Sequence, residues 1–243
     1  AFVPGGGYQR LLAADYSQIE LRVLAHISGD AALLEAFRRG EDIHRRTAAE
    51  IFGVALEEVS ESQRQGAKAV NFGLVYGQTD FGLASSLGIG RQEAADYISA
   101  YFRRYPGVKK YMEDTIAKAR KDGFVTTLFN RRRYLPEIGS RNFQRRSFAE
   151  RTAINTPIQG TAADIIKLAM VEVEKRLEGE GLVSRMLLQV HDELVLETTA
   201  DEQKRVAKLV KAAMEEIVPL AVPLVVEVKA GPNWYNLERV RDL

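Results

Sequence analysis

The chain has 243 residues, 46% hydrophobic and 28% charged, a composition typical of a folded globular protein of one large or two smaller domains. It has no cysteine, which excludes disulfides, cysteine-based zinc sites, iron–sulfur clusters and thiol nucleophiles. Lysine and arginine number 34 against 33 aspartate and glutamate, so the net charge of +1 gives no whole-chain argument for a nucleic-acid partner.

The sequence contains no candidate membrane segment. No stretch approaches the ~20 apolar residues of a membrane span, and the N-terminus lacks a basic segment followed by an apolar one. We therefore expect a soluble, cytoplasmic protein without a membrane partner. The chain begins at Ala1 rather than at methionine, which suggests a fragment or a processed product.

The N-terminal part of the chain predicts a strand followed by a helix. Residues 10–14 form an apolar run that leads into Asp15, and apolar residues then recur every four positions from Ile19. Asp15 therefore stands where the predicted strand ends. Ser17-x-x-Glu20 matches a capping box, so the local pattern alone favours a structural role for Glu20.

The middle of the chain, residues 40–146, has an almost wholly helical pattern interrupted at glycines and at one proline. Near its end, residues 124–135 predict a hairpin or extended loop around Asn130. The helical pattern then resumes. Pro157 is expected to end or kink that helix, and Thr161 to open a second one.

The C-terminal part predicts a hairpin, a helix and a last strand. Apolar runs flank the polar triplet His191-Asp192-Glu193, which indicates strand, turn and strand. Residues 201–217 form an amphipathic pattern, and residues 224–228 alternate as a strand. Strands at both ends with helices between them predict an α+β domain with a helical insertion.

Two aspartates in this pattern are candidates for metal ligands. Asp15 lies at a strand end and Asp192 at a hairpin tip, and both positions let a carboxylate project from a rigid sheet. Mg²⁺ prefers a few carboxylates plus substrate phosphates. For an arbitrary aspartate, helix capping or turn formation is the more frequent role. Tight hairpins favour Asn-Gly or Asp-Gly, however, and the triplet at 191–193 offers no residue suited to positive φ.

A predicted helix carries two cations and two aromatics at four-residue spacing, namely Arg64, Lys68, Phe72 and Tyr76. On one helix they form a stripe about 18 Å long, which could meet an extended nucleoside triphosphate. An ordinary amphipathic helix is the more frequent meaning of such a stripe. Gly66 and Gly73 each cost about 1 kcal/mol in a helix interior, so close approach by a ligand or a neighbouring backbone would explain them.

Positive charge is concentrated after the middle block, where seven arginines stand at positions 131, 132, 133, 141, 145, 146 and 151. Such a cluster suits a phosphate backbone, although a solvated surface explains it equally well. The sequence has no Walker loop, no His-Glu-x-x-His and no Gly-x-Ser-x-Gly motif.

Four segments resemble, in the right order, motifs of the polymerase domain of bacterial family A DNA polymerases. Residues 15–22, Asp-Tyr-Ser-Gln-Ile-Glu-Leu-Arg, resemble motif A, and residues 64–77, Arg-x3-Lys-x3-Phe-x3-Tyr-Gly, resemble motif B. Residues 191–193 resemble motif C, and a further match covers residues 151–164. The similarity extends over essentially the whole chain.

This resemblance implies an antiparallel palm sheet with a large helical fingers insertion. The palm would comprise residues 1–39 and 147–243, and the fingers residues 40–146. The implied activity is template-directed DNA synthesis in replication and repair, with primer–template DNA and deoxynucleoside triphosphates as partners. The family's thumb and nuclease domains have no counterpart here, so we expect a fragment whose parent protein supplies them, associated with the nucleoid.

The resemblance also implies roles for individual residues. Asp15, Asp192 and the backbone carbonyl of Tyr16 would hold two Mg²⁺ ions, with Mn²⁺ as a substitute, and Lys68 would protonate the leaving pyrophosphate. The implied nucleotide-binding residues are Gln18, Glu20, His44, Arg64, Lys68, Phe72 and Tyr76. The implied DNA-binding residues are Arg151, Asn155, Gln159 and His191, and Glu193 completes the acidic motif.

Finer properties follow from single positions. By resemblance, Glu20 would crowd the ribose 2′ position and exclude ribonucleotides, and Phe72 would discriminate against dideoxynucleotides. Asn130 replaces an expected glycine, which is tolerable because asparagine accepts the left-handed conformation. Two alternatives stay open, a single-subunit RNA polymerase, disfavoured by Glu20 and Glu193, and a primer–template or nucleotide-binding fragment without independent polymerase activity.

Overall fold

A computed structural model describes residues 2–241 of the chain, which form two compact units. The first unit combines residues 1–22 with residues 162–243, and the second comprises residues 23–161. The predicted domain boundaries after residues 39 and 146 fall within the second unit, and Ala1 and residues 242–243 lie outside the described residues. Among the helices of the described part, none is long and apolar enough to cross a membrane.

The first unit is built on a five-stranded antiparallel sheet with the strand order β4-β5-β1-β6-β7. This sheet and the surrounding helices confirm the predicted α+β class. The four predicted strands of this sheet are confirmed, and the two-residue β7 was not predicted because it is too short to show alternation. Its strands are β1 Arg10–Tyr16, β4 Arg185–Val190, β5 Glu193–Thr198, β6 Val226–Gly231 and β7 Glu238–Arg239; β2 and β3 belong to the second unit.

The centre of the sheet is covered by apolar packing. β1 pairs with β5 on one side and with β6 on the other, and Leu12 and Ala14 are fully buried. Helix α9, Gln203–Glu215, confirms the predicted amphipathic helix and packs against β1 and β6. The hydroxyl of Tyr16, at the end of β1, donates to the Met214 carbonyl oxygen at 2.7 Å. These contacts fix the end of β1 where Asp15 lies.

The helices before and within the second unit confirm the predicted helical block. They are α1 Ile19–Ser28, α2 Ala31–Arg38, α3 Ile43–Phe52, a 3₁₀ helix Leu56–Glu58, α4 Glu61–Val75, α5 Asp80–Leu87, α6 Arg91–Arg104 and α7 Pro106–Asp122. Gly53, Gly88 and Gly123 follow the last residues of α3, α5 and α7 in the left-handed conformation. A residue without Cβ ends a helix in this way at no steric cost.

Helix α8, Phe143–Gly179, runs for 37 residues through Pro157 and passes from the second unit into the first. The prediction that a second helix opens at Thr161 is therefore wrong. Proline removes a backbone donor and loosens the turn before it, and there the Tyr111 hydroxyl donates to the Ile154 carbonyl at 2.9 Å. The Thr161 hydroxyl instead accepts a bond from the Leu128 N–H at 3.0 Å.

Of the two structures predicted after α7, a hairpin or an extended loop, the chain forms the hairpin. Strands β2, Phe124–Thr126, and β3, Arg132–Tyr134, pair in antiparallel fashion. Asn130 lies in the connecting turn with φ of 60°, which is the left-handed conformation expected of asparagine at this position.

A tight loop follows β6. An ideal Cβ on Gly231 would lie 1.8 Å from the backbone oxygen of Asn236. Two backbone groups cannot move apart as easily as side chains, so this position requires glycine.

We expect Gly231→Ala to lower the free energy of unfolding by about 2–3 kcal/mol, because the loop must shift to admit the methyl group. Urea unfolding followed by circular dichroism measures this. Gly6→Ala is the matched control, since an added Cβ there meets no atom within 4 Å. Equal stability of the two variants would contradict the assignment of a close backbone approach.

Candidate active site

Asp15 and Asp192 lie at the same end of the sheet in the first unit. Asp15 stands opposite Glu193 in the pairing of β1 with β5, and the Tyr16 N–H donates to the Asp192 carbonyl oxygen at 3.1 Å. The side chains of the two aspartates are within hydrogen-bonding reach of each other. Two carboxylates separated by 177 positions in sequence are thus neighbours in the fold.

The surroundings of Asp15 disfavour its negative charge. Burial, followed by the nearby charges of Asp192 and Glu193, raises the pKa of Asp15 to about 6, and Lys229 opposes the shift. The cluster therefore holds more negative charge than its surroundings compensate. A divalent cation would relieve this excess.

The donor set suits Mg²⁺. The atoms at this end of the sheet are carboxylate and carbonyl oxygens, the ligands that Mg²⁺ prefers. Among residues 2–241, no group of three or more His, Cys, Asp or Glu side chains is arranged to hold a metal ion. Asp15 and Asp192 with the Tyr16 carbonyl therefore fit an ion that takes its remaining ligands from water or substrate phosphates.

The turn that carries Asp192 has a strained backbone. His191 has φ of 53°, so the expectation that no residue of the triplet suits positive φ is wrong. Histidine is enriched in the left-handed region, although less tolerant of it than glycine. Gln18, three residues after Asp15, has φ of 56°. Each such residue costs about 1–3 kcal/mol, and both lie close in sequence to the candidate ligands.

The predicted capping box at Ser17 and Glu20 is not formed. Helix α1 begins at Ile19, so Glu20 is the second helical residue rather than the third. The Ser17 N–H donates to the Val225 carbonyl at 2.8 Å instead of to Glu20. The positive φ of Gln18 shifts the start of the helix, so Ser17 and Glu20 do not occupy the N-cap and N3 positions of a capping box.

The buried side chain of Arg22 holds the backbone just before helix α1. It is 7% exposed, and its guanidinium donates to the Ser17 carbonyl at 2.8 Å and to the Pro223 carbonyl at 2.7 Å. Burial lowers the pKa of Arg22 to about 10, and Glu215 opposes this. The sequence motifs assigned Arg22 no role beyond membership of the first motif, because these carbonyl contacts depend on tertiary structure.

The predicted stripe of cations and aromatics lies in the second unit. Arg64, Lys68 and Phe72 are on α4, and Tyr76 caps its C-terminus. The rings of Phe72 and Tyr76 stack with centroids 6.2 Å apart. Arg64 is held by Asp42, with 2.7 Å between Nε and Oδ2.

The two helix glycines of α4 have different surroundings. A Cβ on Gly73 would lie 2.2 Å from Oε1 of Gln78, so a side chain approaches where a ligand or backbone was expected. Gly66 would meet only Phe52 at 3.8 Å, an ordinary contact that does not require glycine.

His44 is buried beside this stripe, and its hydrogen bonds hold the neutral ring in one tautomer. Its Nδ1 lies 3.0 Å from the Asn71 amide nitrogen, and the Thr47 hydroxyl donates to Asn71 Oδ1 at 3.1 Å. The Asn71 amide must therefore donate to His44, which assigns the ring proton to Nε2. Burial lowers the pKa of His44 to about 4; Asp42 opposes this shift, and the charge of Arg64 adds to it.

The predicted DNA-binding residues Arg151, Asn155 and Gln159 share one face of α8 because they are four positions apart. Arg151 packs against Gly77. A Cβ added to Gly77 would lie 2.8 Å from Cγ of Arg151. Oδ1 of Asn155 is buried and has no hydrogen-bond partner within the described residues. Such an atom calls for an unseen donor, such as water or a ligand. The fourth residue, His191, belongs to the first unit.

The arginine cluster lies on the hairpin and the start of α8. Arg132 lies over the Phe124 ring at 5.1 Å, and Arg146 over the Phe143 ring at 5.7 Å. Phe143 and Tyr134 are themselves exposed. Exposed aromatics among arginines suit stacking and phosphate contacts with nucleic acid.

The chain is similar to known proteins over almost its whole length. The family model described as DNA polymerase family A matches residues 1–236. The chain is 58% identical to DNA polymerase I of Geobacillus stearothermophilus, over 97% of this chain and 27% of the relative. It is also 58% identical to DNA polymerase I of Pseudomonas aeruginosa, over 96% of this chain and 26% of the relative.

A solved structure has the same fold. The POL domain of Pol1 from M. smegmatis, in complex with DNA primer-template and dNTP, matches with a TM-score of 0.93 and 50% identity. The match covers 96% of this chain and 41% of that one. The chain thus spans well under half the length of these relatives.

We expect the stability of the chain to fall as the pH is lowered from about 6.5 to about 4, in part through His44. Its folded-state pKa of about 4 lies below the ordinary 6.5, so the unfolded state binds the extra proton in this window. Urea unfolding across the window should show a shallower decline for His44→Gln. Parallel declines in the two proteins would contradict a buried neutral imidazole.

Proposed function

Because this chain belongs to DNA polymerase family A, we propose that it adds deoxynucleoside triphosphates to a primer 3′-hydroxyl, directed by a DNA template and releasing pyrophosphate. The observation that carries the proposal is the convergence of Asp15 and Asp192 at one end of the sheet. Two carboxylates with uncompensated charge match the need of phosphoryl transfer for hard cations.

Asp15, Asp192 and the Tyr16 carbonyl would hold two Mg²⁺ ions, with Mn²⁺ as a substitute. When bound, the pair would supply charge neutralisation at the attacking hydroxyl, the α-phosphate and the pyrophosphate. The β1–β5 pairing and the bond from the Tyr16 N–H to the Asp192 carbonyl keep these two residues together without the cations. This rigidity supports the proposal because positioned charge needs no reorganisation during the reaction.

Residues of the second unit would bind the incoming nucleotide. Arg64 and Lys68 supply positive charge toward the triphosphate, and Lys68 protonates the departing pyrophosphate. The assigned tautomer of His44 leaves its Nε2–H as a hydrogen-bond donor, which suits a phosphate oxygen. Phe72 and Tyr76, which stack on each other, provide apolar surface for sugar and base.

The sugar and DNA contacts complete the assignment. Gln18 and Glu20 would contact the nucleotide, with Glu20 excluding the 2′-hydroxyl of ribonucleotides. Arg151, Asn155, Gln159 and His191 would contact the primer–template minor groove and primer end, which tests base-pair shape rather than sequence. The unpartnered Oδ1 of Asn155 supports a ligand at this face.

The remaining parts of the proposal concern the whole protein. Residues 1–39 and 147–243 would form the palm and residues 40–146 the fingers, with thumb and nuclease domains in the longer parent protein. DNA as substrate implies a cytoplasmic, nucleoid-associated location. A second candidate function is primer–template or nucleotide binding without independent synthesis, favoured by the exposed aromatics among the arginines of the hairpin and the start of α8.

We expect Asp192→Asn to reduce primer extension with Mg²⁺ by at least about 10³-fold, because one of two cation-binding carboxylates loses its charge. A gel-based extension assay on a primer–template measures this. Asp201→Asn, at an exposed aspartate outside the sheet, is the matched control and should extend normally. Equal extension by Asp192→Asn would overturn the polymerase proposal, whereas DNA binding without extension by the unaltered chain would favour the second function.

We expect Phe72→Tyr to raise incorporation of dideoxynucleotides by about 10-fold or more relative to deoxynucleotides. A phenol at this position can replace the hydrogen bond of the missing 3′-hydroxyl, and one such bond corresponds to about that factor. Competitive incorporation assays measure the ratio. Phe52→Tyr, on α3, should leave it unchanged.

A further inference from the structure

Trp234 makes a direct contact with the acidic motif. Its indole N–H donates to Oε1 of Glu193 at 2.9 Å. Glu193 stands opposite Asp15 in the strand pairing and follows Asp192 in sequence. Trp234 is the only tryptophan in the chain and lies 41 positions beyond Glu193.

The loop that carries Trp234 is a built structure. Its backbone N–H donates to the Phe2 carbonyl at 3.2 Å, and the Phe2 ring packs edge-on at 5.5 Å. Oδ1 of Asn233 accepts from the N–H groups of Tyr235 and Asn236. The close approach at Gly231 lets the chain fold back. The indole is therefore oriented by the Phe2 ring and by the backbone of a folded loop.

Glu193 needs such an anchor. Side chains of directly opposed residues in an antiparallel pair lie on the same face, about 5 Å apart at Cβ. Both side chains are carboxylates, and like charges directly opposite each other in a strand pair repel. An untethered glutamate would rotate toward solvent to escape that repulsion. A hydrogen bond to a charged acceptor opposes the rotation.

We propose that Trp234 is a positioning residue that holds the Glu193 carboxylate beside Asp15 and Asp192, where its charge strengthens the attraction of the cluster for divalent cations. The inference rests on the proposed function, because it assigns Trp234 to the same cation site. Trp234 contacts neither substrate nor reacting atoms in this role; it acts only through Glu193.

The test is a double-mutant cycle read out by Mn²⁺ affinity, without DNA or nucleotide. Electron paramagnetic resonance of free Mn²⁺ gives the dissociation constant. Trp234→Phe keeps the ring contact with Phe2 and removes the N–H, and should weaken binding about 5-fold. Glu193→Gln should weaken it at least as much. The two changes together should weaken it no more than Glu193→Gln alone.

The controls separate the possible failures. Tyr235→Phe, at an exposed neighbour, should leave Mn²⁺ affinity unchanged. Asp192→Asn should weaken it about 10-fold or more; if it does not, the proposed cation site itself is wrong. If Asp192→Asn weakens binding but Trp234→Phe does not, or if the effects of Trp234→Phe and Glu193→Gln add, only the positioning role is overturned.

A second variant covers the case in which Trp234→Phe fails to fold. Glu193→Asp keeps the charge and the tryptophan but is one methylene shorter, so its carboxylate loses the hydrogen bond from the indole N–H. It should also weaken Mn²⁺ binding about 5-fold, while thermal unfolding stays close to that of the unaltered chain. Unchanged affinity in Glu193→Asp would overturn the inference.

Discussion

The close approach of two carboxylates at one end of an antiparallel sheet is the constraint on which the site depends. Asp15 and Asp192 repel each other, so the fold must hold them together against their charge. The pairing of β1 between two neighbours does this, because a slip of one residue would turn the buried side chains of β1 toward the opposite face. The bond from the Tyr16 N–H to the Asp192 carbonyl then ties the hairpin turn to the strand end.

Local strain and buried polar contacts complete this arrangement. His191 and Gln18 adopt left-handed conformations close in sequence to the acidic residues, and Arg22 donates to the carbonyls of Ser17 and Pro223. In the second unit, a chain of buried hydrogen bonds from Thr47 through Asn71 fixes the ring of His44. In both units, the surrounding contacts hold groups whose charge or backbone conformation is unfavourable. Such groups are frequent at functional sites.

Periodicity and turn residues were enough to predict the strands of the sheet, the helical block and the hairpin around Asn130, since each depends on local pattern. Contacts distant in sequence were not predictable in this way. Pro157 was expected to end or kink the helix there, but α8 continues through it, and the Tyr111 hydroxyl donates to the Ile154 carbonyl in the preceding turn. The capping box at Ser17 failed because Val225 takes its N–H. Asp15 and Asp192 were identified from their strand-end and turn positions, whereas the supporting roles of Arg22 and Asn71 depend on the folded structure.

The hydrogen bond between Trp234 and Glu193 also places the single indole fluorophore of the chain next to the acidic motif. Indole emission depends on the polarity and hydrogen bonding around the ring, and with a single tryptophan all of the indole emission comes from beside the acidic motif. Changes at that end of the sheet can therefore be followed by intrinsic fluorescence without a label. Because the chain has no cysteine, one introduced thiol would carry an acceptor dye at a unique position, and energy transfer would then measure distances from the acidic motif.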